Sequence, residues 1–194
     1  FFDVIKYSGD SNATRSIPHG LGSSVGTIII KTLNANDNWL VYHRGLPNGL
    51  GTGRLKLNNT NAVDGTTNFL SADSSSVTFA NNAGGNYSGN EYVMYLFAHD
   101  DAADGLIQCG SYTTDANEDA TINLGWEPQW VLAKRTDSSS GGTWMLFDSM
   151  RGMQGDFLSQ AALLEANDTN AETNVNRIAV TPTGFKVDNY GANR

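Results

Sequence analysis

The feature that most constrains this chain is a two-strand plan that the sequence contains twice. Residues 26–45 hold a β-branched run at 27–30, a turn rich in Asn and Asp, and a second run of large residues at 39–42. β-Branched side chains favour a pleated strand, and Asn and Asp favour tight turns. Residues 129–152 repeat the plan. The pattern therefore predicts two antiparallel hairpins and an all-β chain.

The repetition extends beyond the hairpins, because matching residues recur at an offset that grows slowly along the chain. Lys31 and Lys134 are 103 positions apart, whereas Trp39 and Trp144 are 105 apart. An offset that grows in one direction is what loop insertions produce in a duplicated unit. We therefore predict an antiparallel β-sandwich built from two similar repeats, with two small tandem β-sandwiches as the alternative.

The predicted repeats are residues 1–104 and 105–194, which together form one sandwich domain. In the first repeat, the apolar run Tyr92–Phe97 is expected to be a central strand buried on both faces. The second repeat is expected to open with a strand at Leu106–Tyr112. It has no counterpart of Tyr92–Phe97 before Arg194, so that strand is expected beyond the chain end or from another segment or chain.

One stretch, residues 154–166, has a helix-like pattern. Leu158, Ala162 and Leu163 fall at helical spacing, and Asp156 could cap a helix. We expect one or two helical turns within a loop there.

The composition indicates a surface kept in solution by uncharged polar groups. Only 16% of the residues are charged, and the net charge is −8. No basic patch is present, which argues against binding to nucleic-acid phosphates. No apolar run approaches the ~18 residues that a membrane helix needs, so no membrane insertion is expected. Cys109 stands alone and is expected to be a small buried apolar residue in a strand.

No catalytic pattern emerges, so the sequence predicts a protein that is not an enzyme. The three histidines are scattered, without metal-ligand spacing, and no nucleophile elbow or phosphate loop occurs. Glu118 and Asp119 are adjacent, so a strand would point them to opposite faces, unlike the carboxyl pair of a glycosidase.

Ca²⁺ is the one cofactor for which the sequence offers ligands. Asp100, Asp101 and Asp104 give the link between the repeats a high density of carboxylate oxygens. Such oxygens are the ligands that Ca²⁺ prefers. Asp residues also form ordinary turns, and the stretch does not match a twelve-residue EF-hand loop. A calcium site and a solvated turn therefore stay open.

Two loops could bind carbohydrate. Trp126 and Glu127 lie in a Gly-Trp-Glu-Pro loop without an aromatic counterpart in the first repeat, and Asn36, Asp37 and Asn38 form the first hairpin turn. An indole face can cover a pyranose ring, and amide or carboxylate groups can bond its hydroxyls. The alternative is that both loops are solvated or buried against a neighbouring subunit.

For the paired tryptophans, Trp39 and Trp144, we expect a structural role. Both repeats keep a Trp at the positions of Trp39 and Trp144, which favours core packing over a sugar platform. A strand at 39–43 places Leu40 and Tyr42 on the face opposite Trp39.

Several short strand-and-turn segments share a further pattern. They are Tyr7–Gly9, Ile17–Gly22, Ile28–Lys31, Val41–His43, Leu55–Asn58, Ser88–Gly89 with Tyr92–Ala98, and, in the second repeat, Cys109–Thr113, Leu124–Lys134 and Phe147–Arg151. Together these segments resemble a family of repeats in virion proteins of marine bacteriophages, concanavalin A-like or of unknown function. The resemblance covers nearly the whole chain and carries no catalytic signature.

The resemblance implies a concanavalin A-like sandwich and a non-catalytic module on the virion surface, in a tail fibre, appendage or decoration protein. Its role would be host attachment or particle assembly, in an extracellular setting. The expected partners are other virion subunits, including further copies of the chain, and a host surface glycan. A carbohydrate-binding lectin module is the first alternative, and a polysaccharide depolymerase is the second.

Overall fold

A computed structural model describes residues 1–47, 49–51, 53–65, 71–80, 84–102, 105–138, 142–157 and 160–188. Within these residues the fold is all-β, every strand pair is antiparallel, and no α-helix is present. Accordingly, the described residues contain no helix long and apolar enough to cross a membrane. The chain divides into two compact units, the first comprising 1–100, 105–111 and 136–142 and the second 101–104, 112–135 and 143–194.

The first unit contains two antiparallel sheets. Its strands are β1 (Phe2–Ser8), β2 (Thr14–Pro18), β3 (Val25–Thr32), β4 (Leu40–His43), β5 (Leu55–Lys56), β6 (Ser71–Ala72), β7 (Ser76–Ala80) and β8 (Glu91–Ala98). A five-stranded sheet has the order β1–β8–β3–β4–β5, and a three-stranded sheet has the order β2–β7–β6. One core cluster draws residues from both sheets, among them Ile28, Tyr42, Phe79 and Met94.

Strand β8 lies between β1 and β3 and is hydrogen-bonded to both, as the sequence predicts. The expectation that both of its faces are buried is wrong. Tyr92, Met94 and Leu96 are fully buried, whereas the alternate side chains, including Tyr95 and Phe97, are only half-buried. Successive strand residues point to opposite faces, so only one face of this apolar strand meets the core.

The second unit also contains two antiparallel sheets. Its strands are β9 (Ala120–Asn123), β10 (Trp130–Lys134), β11 (Trp144–Asp148), β12 (Ala161–Glu165), β13 (Thr173–Val175), β14 (Ile178–Thr181) and β15 (Gly184–Val187). The sheet orders are β10–β11–β12–β13 and β14–β15–β9. A separate core cluster includes Val131, Phe147, Leu163 and Phe185.

The two units share a strand plan. In the first unit β3, β4 and β5 are neighbours in one sheet while β7 lies between β2 and β6 in the other. In the second unit β10, β11 and β12 are neighbours, and β15 lies between β9 and β14. The hairpin registers correspond too, since Ile28 opposes Tyr42 and Val131 opposes Phe147.

Residues 106–112 do not form the strand that the sequence predicts. In the first unit the corresponding strand, β1, has β8 as its partner in the ladder. No described strand of the second unit occupies the position of β8, so residues 106–112 have no such ladder to join. Cys109 is buried as expected, but in an irregular segment.

The helix-like stretch at 154–166 is also different from the expectation. Ala162 and Leu163 lie in β12, which pairs with β11 on one side and β13 on the other. Leu158 is outside the described residues. Helical spacing over so few residues is a weak signal, and burial of Ala161, Ala162 and Leu163 in a packed strand overrides it.

Candidate functional site

The most distinctive surface of the first unit is the face of its five-stranded sheet that points away from the core. Five side chains define this outer aromatic face: Phe2, Val4, Trp39, Tyr95 and Phe97. Strand alternation places them there, because Leu40 and Leu96, which adjoin Trp39, Tyr95 and Phe97 in sequence, belong to the core cluster, and Ile5, which adjoins Val4, packs against it.

Register brings these side chains together in rows. Phe2 opposes Phe97, and Val4 opposes Tyr95, across the β1–β8 ladder. The Phe2 and Phe97 rings are 4.9 Å apart between centroids, and the Trp39 and Tyr95 rings stack with centroids 6.3 Å apart. Such pairs contribute about 0.5–1.5 kcal/mol each beyond simple burial. The rings therefore form an ordered surface.

Exposure decreases across this face from β1 towards β4. Phe2 is 45% exposed and Val4 is 48% exposed, whereas Tyr95, Phe97 and Trp39 are more buried. The β1 side is therefore the accessible part of the face.

At the β3–β4 end of the sheet, the irregular segment 105–111 packs closely. A Cβ on Gly26 would lie 2.6 Å from the Cys109 sulfur, so only glycine fits there. The Cys109 backbone N–H donates to His99 Nδ1 at 3.1 Å. Burial raises the pKa of the Cys109 thiol, so this cysteine is a packing residue and not an activated nucleophile.

His43 occupies the same end of the sheet. Its Nδ1 accepts the Gly45 N–H at 2.9 Å, which leaves Nε2 to carry the proton of the neutral ring. Burial, with the nearby Arg44 charge, lowers the pKa of His43 to about 4. The ring is therefore neutral at physiological pH and does not titrate there.

A polar cluster joins two loops of the first unit around the fully buried Asn86. Its Nδ2 donates to Asp10 Oδ1 at 3.0 Å, and its Oδ1 accepts from the Asp10 N–H at 3.2 Å. The Arg15 guanidinium lies 3.2 Å from Asp10 and 5.6 Å from the Tyr7 ring centre. Asn12 N–H above all, with Asn86 and Arg15, lowers the pKa of Asp10. The cluster is closed and structural.

The predicted sugar-binding residues of the second unit are Trp126 and Glu127. Glu127 is exposed, but Trp126 is half-buried. The Trp126 indole N–H is buried and has no hydrogen-bond partner within the described residues. Trp130, at the start of β10, presents more of its indole, with 52% of the residue exposed.

The predicted residues of the first hairpin turn are Asn36, Asp37 and Asn38. Lys31 Nζ donates to the Asp37 carbonyl at 2.6 Å, and Asp37 Oδ1 accepts from the Asn38 N–H at 2.8 Å. Asn38 Oδ1 accepts from Asn58 Nδ2 at 3.0 Å. These groups hold the turn in place, which leaves Asn36 as its exposed amide.

Two of the three predicted calcium ligands lie within the described residues. Asp100 and Asp101 are exposed, and Asp104 lies outside the described residues. Within the part of the chain that the structure describes, no three His, Cys, Asp or Glu side chains are grouped closely enough to hold a metal ion.

Sequence reasoning did not identify the outer aromatic face, although its signal was present. Phe2 and Val4 alternate along β1, and Tyr95 and Phe97 alternate along β8. The sequence pattern does not show that these two distant strands pair with each other, whereas the fold does.

The paired tryptophans differ from the expectation. Trp39 lies on this face and outside the core cluster, so its expected core position is wrong. Trp144 is buried, as core packing predicts, but it too lies outside the core cluster of its unit.

The fold defines an all-β, β-sandwich-like protein whose first unit has partly exposed aromatic side chains on one sheet. The chain belongs to a family described as a domain of unknown function (DUF7483), which it matches over residues 1–194. Neither the comparison with curated proteins nor the comparison with solved structures gave a match.

Proposed function

We propose that the chain is a non-catalytic surface module of a bacteriophage virion, and that its outer aromatic face contacts a neighbouring virion subunit during particle assembly. The observation that carries the proposal is the pairing of Phe2 with Phe97 beside the exposed Val4. The resemblance of the strand-and-turn segments to virion repeats supports the setting. A concanavalin A-like sandwich of two repeats belongs to the same proposal, and the shared strand plan supports it.

The physical argument is one of surface energetics. Apolar area removed from water contributes roughly 25 cal/mol per Å², so covering half-exposed rings and aliphatic side chains drives association. Aromatic residues are enriched at the centres of protein interfaces, where they bury area at a low entropic cost. A rigid sheet holds these residues in place before a partner arrives, which reduces the ordering cost of binding.

A single charge on the face tests the proposal. In a phage that encodes the chain, Val4→Lys should lower the copy number of the protein in purified particles several-fold, because a buried ammonium opposes subunit contact. Quantitative mass spectrometry of the particles gives the copy number. The matched control is Thr14→Lys at an exposed position of strand β2, which should leave the copy number unchanged.

Circular dichroism of the isolated module should show that both lysine variants fold. If Val4→Lys is incorporated normally and adsorption per particle is also normal, the outer aromatic face is not a contact surface. If incorporation is normal but adsorption falls, the face binds the host and the assembly role is wrong.

Carbohydrate binding is the second candidate function, and the exposed indole of Trp130 favours it. An indole of this exposure can stack on the apolar face of a pyranose ring. Trp130→Ala should then weaken binding of the isolated module to host surface polysaccharide by about tenfold or more, whereas Val4→Lys should not. Equal binding by Trp130→Ala and the unmodified module would exclude a lectin site at this indole.

A further inference from the structure

A short turn in the second unit presents an apolar side chain almost entirely to solvent. The 3₁₀ turn Ser149–Arg151 follows β11, and Met150 at its centre is 93% exposed. The neighbouring methionines behave differently, since Met145 packs against the core cluster of the second unit and Met153 belongs to it. The turn therefore holds Met150 outward, whereas the methionines on either side of it point inward.

Hydrogen bonds hold this turn in one conformation. The Asp148 carboxylate accepts the Arg151 N–H at 2.9 Å and the Arg151 Nε at 2.7 Å. The Ser149 N–H donates to the Gln129 carbonyl at 3.0 Å, which ties the turn to the segment before β10. The backbone of Met150 is thus ordered before any partner arrives, and this order reduces the entropy that binding costs.

Trp130 lies at the same end of the β10–β11 hairpin. It opposes Asp148 in the ladder, directly before the turn, and it is 52% exposed. Methionine and aromatic residues are enriched in protein interfaces, because they bury large apolar areas and methionine adapts its shape to the partner. We call Met150 and Trp130 together the apolar tip of the second unit.

The outer aromatic face of the first unit has the chemistry that such a tip needs. A thioether sulfur makes favourable contacts with the edges of aromatic rings. The Phe2 ring, which packs beside Phe97, is 45% exposed, and Val4 on the same strand is 48% exposed. Rings fixed on a sheet and a flexible methionine on a rigid turn are therefore complementary surfaces.

Charge and coverage both favour a contact between different units of two copies. The first unit has 6 basic and 8 acidic residues, whereas the second has 6 basic and 12 acidic residues. Two second units would therefore repel each other more strongly than a second unit and a first unit. Pairing of two outer aromatic faces would leave Met150 in water. Only a contact between tip and face covers both apolar surfaces.

We propose that the apolar tip of one copy of this chain docks on the outer aromatic face of the next copy, with Met150 against Phe2 and Val4. Each copy has one tip and one face, so the contact is head-to-tail and joins copies in series. The inference rests on the proposed function, because it identifies the neighbouring virion subunit as a second copy of the chain.

Two single-charge variants test the contact in the 194-residue chain. Sedimentation velocity should show association of the native chain that increases with concentration. Val4→Lys and Met150→Lys should each weaken this association by at least about tenfold, because the contact would remove an ammonium group from water. Thr14→Lys, at an exposed position of β2, is the matched control and should associate like the native chain.

An equimolar mixture of the two variants separates a head-to-tail contact from a symmetric one. Val4→Lys keeps an intact tip, and Met150→Lys keeps an intact face. The mixture should therefore form a dimer of one copy of each variant and no longer assembly, although each variant alone is monomeric.

Each outcome decides the proposal. Formation of this mixed dimer supports it. A native chain that stays monomeric up to its solubility limit, a Met150→Lys chain that associates like the native chain, or variants that stay monomeric when mixed would overturn it. In phage particles, a reduced copy number for Val4→Lys with a normal one for Met150→Lys would show that the face contacts a different subunit. The proposed function would then stand, and the head-to-tail contact would be wrong.

Discussion

At the scale of single residues, buried polar groups fix the loops of the first unit. Asn86 is fully buried and links the β1–β2 loop to the loop before β8 through Asp10 and Arg15. Ser11, in the same loop, has a positive φ of 55°, and its N–H donates to the Asn86 carbonyl. Each of these hydrogen bonds adds only modestly to the free energy of unfolding, but together they fix one loop conformation. Removing the amide is costly, because its buried partners then lack hydrogen bonds.

Asn86→Ala should lower the free energy of unfolding of the first unit by about 2–3 kcal/mol, because the N–H of Asp10 and the Arg15 guanidinium lose a buried acceptor. Hydrogen exchange in β1 and β8 gives this free energy. The control is Asn12→Ala, which also removes a hydrogen bond to Asp10 but at an exposed position, and it should cost less than about 0.5 kcal/mol. Similar losses for the two variants would show that burial of Asn86 is unimportant.

His43 makes stability depend on pH. Its pKa is about 4 in the folded chain against 6.5 for an ordinary histidine, so below pH 6.5 the unfolded state takes up a proton that the folded state does not. Stability is therefore complete above pH 6.5 and decreases as the pH falls from 6.5 towards 4. The loss attributable to His43 should be on the order of 1–3 kcal/mol.

Urea unfolding of the native chain and of His43→Gln at pH 7.5, 6.0 and 4.5 measures this loss, because glutamine does not titrate. The advantage of the native chain over the variant should shrink as the pH falls. Carboxyl groups titrate in both proteins and cancel in the difference. An advantage that stays constant from pH 7.5 to 4.5 would rule out a buried neutral His43.

At the scale of strands, the strands predicted from the sequence agree with the structure where the local residue pattern and the final strand pairing favour the same conformation. The two predicted hairpins, β3–β4 and β10–β11, both form as antiparallel pairs. In each, the sequence between two runs of large apolar residues is rich in turn-forming residues. Strand β8 was found from its apolar run alone. Its two faces could not be distinguished, because apolar residues occupy both of them.

The strands that the sequence mispredicted depend on distant partners. Residues 106–112 were expected to match β1 but lack a strand like β8 to pair with within the described residues. The helix-like stretch 154–166 contains β12, which lies between two strands. The outer aromatic face has the same origin, since it joins β1 to β8 across more than eighty residues of sequence. Pairing over such distances is not encoded in a local pattern.

At the scale of the whole molecule, each unit has its own pair of sheets and its own core cluster, built on one strand plan. One difference between the plans is the strand beside β3, which has no counterpart beside β10 within the described residues. This difference should appear in the energetics of matched core positions. A side chain covered by strands on both sides loses more contacts when it is truncated than one at an open edge.

Ile28→Ala should therefore destabilise the first unit by about 3–4 kcal/mol, and Val131→Ala should destabilise the second by only about 1–2 kcal/mol, a smaller cost even for each carbon removed. Hydrogen exchange in β3 and β10 reports each unit separately. Ile29→Ala and Leu132→Ala are the matched controls on the opposite, half-buried faces, and their costs should be smaller. If Ile28→Ala and Val131→Ala lower the free energy of unfolding equally for each carbon removed, the Val131 side chain is packed as tightly as one in a central strand. The expected difference between the two strands would then be wrong.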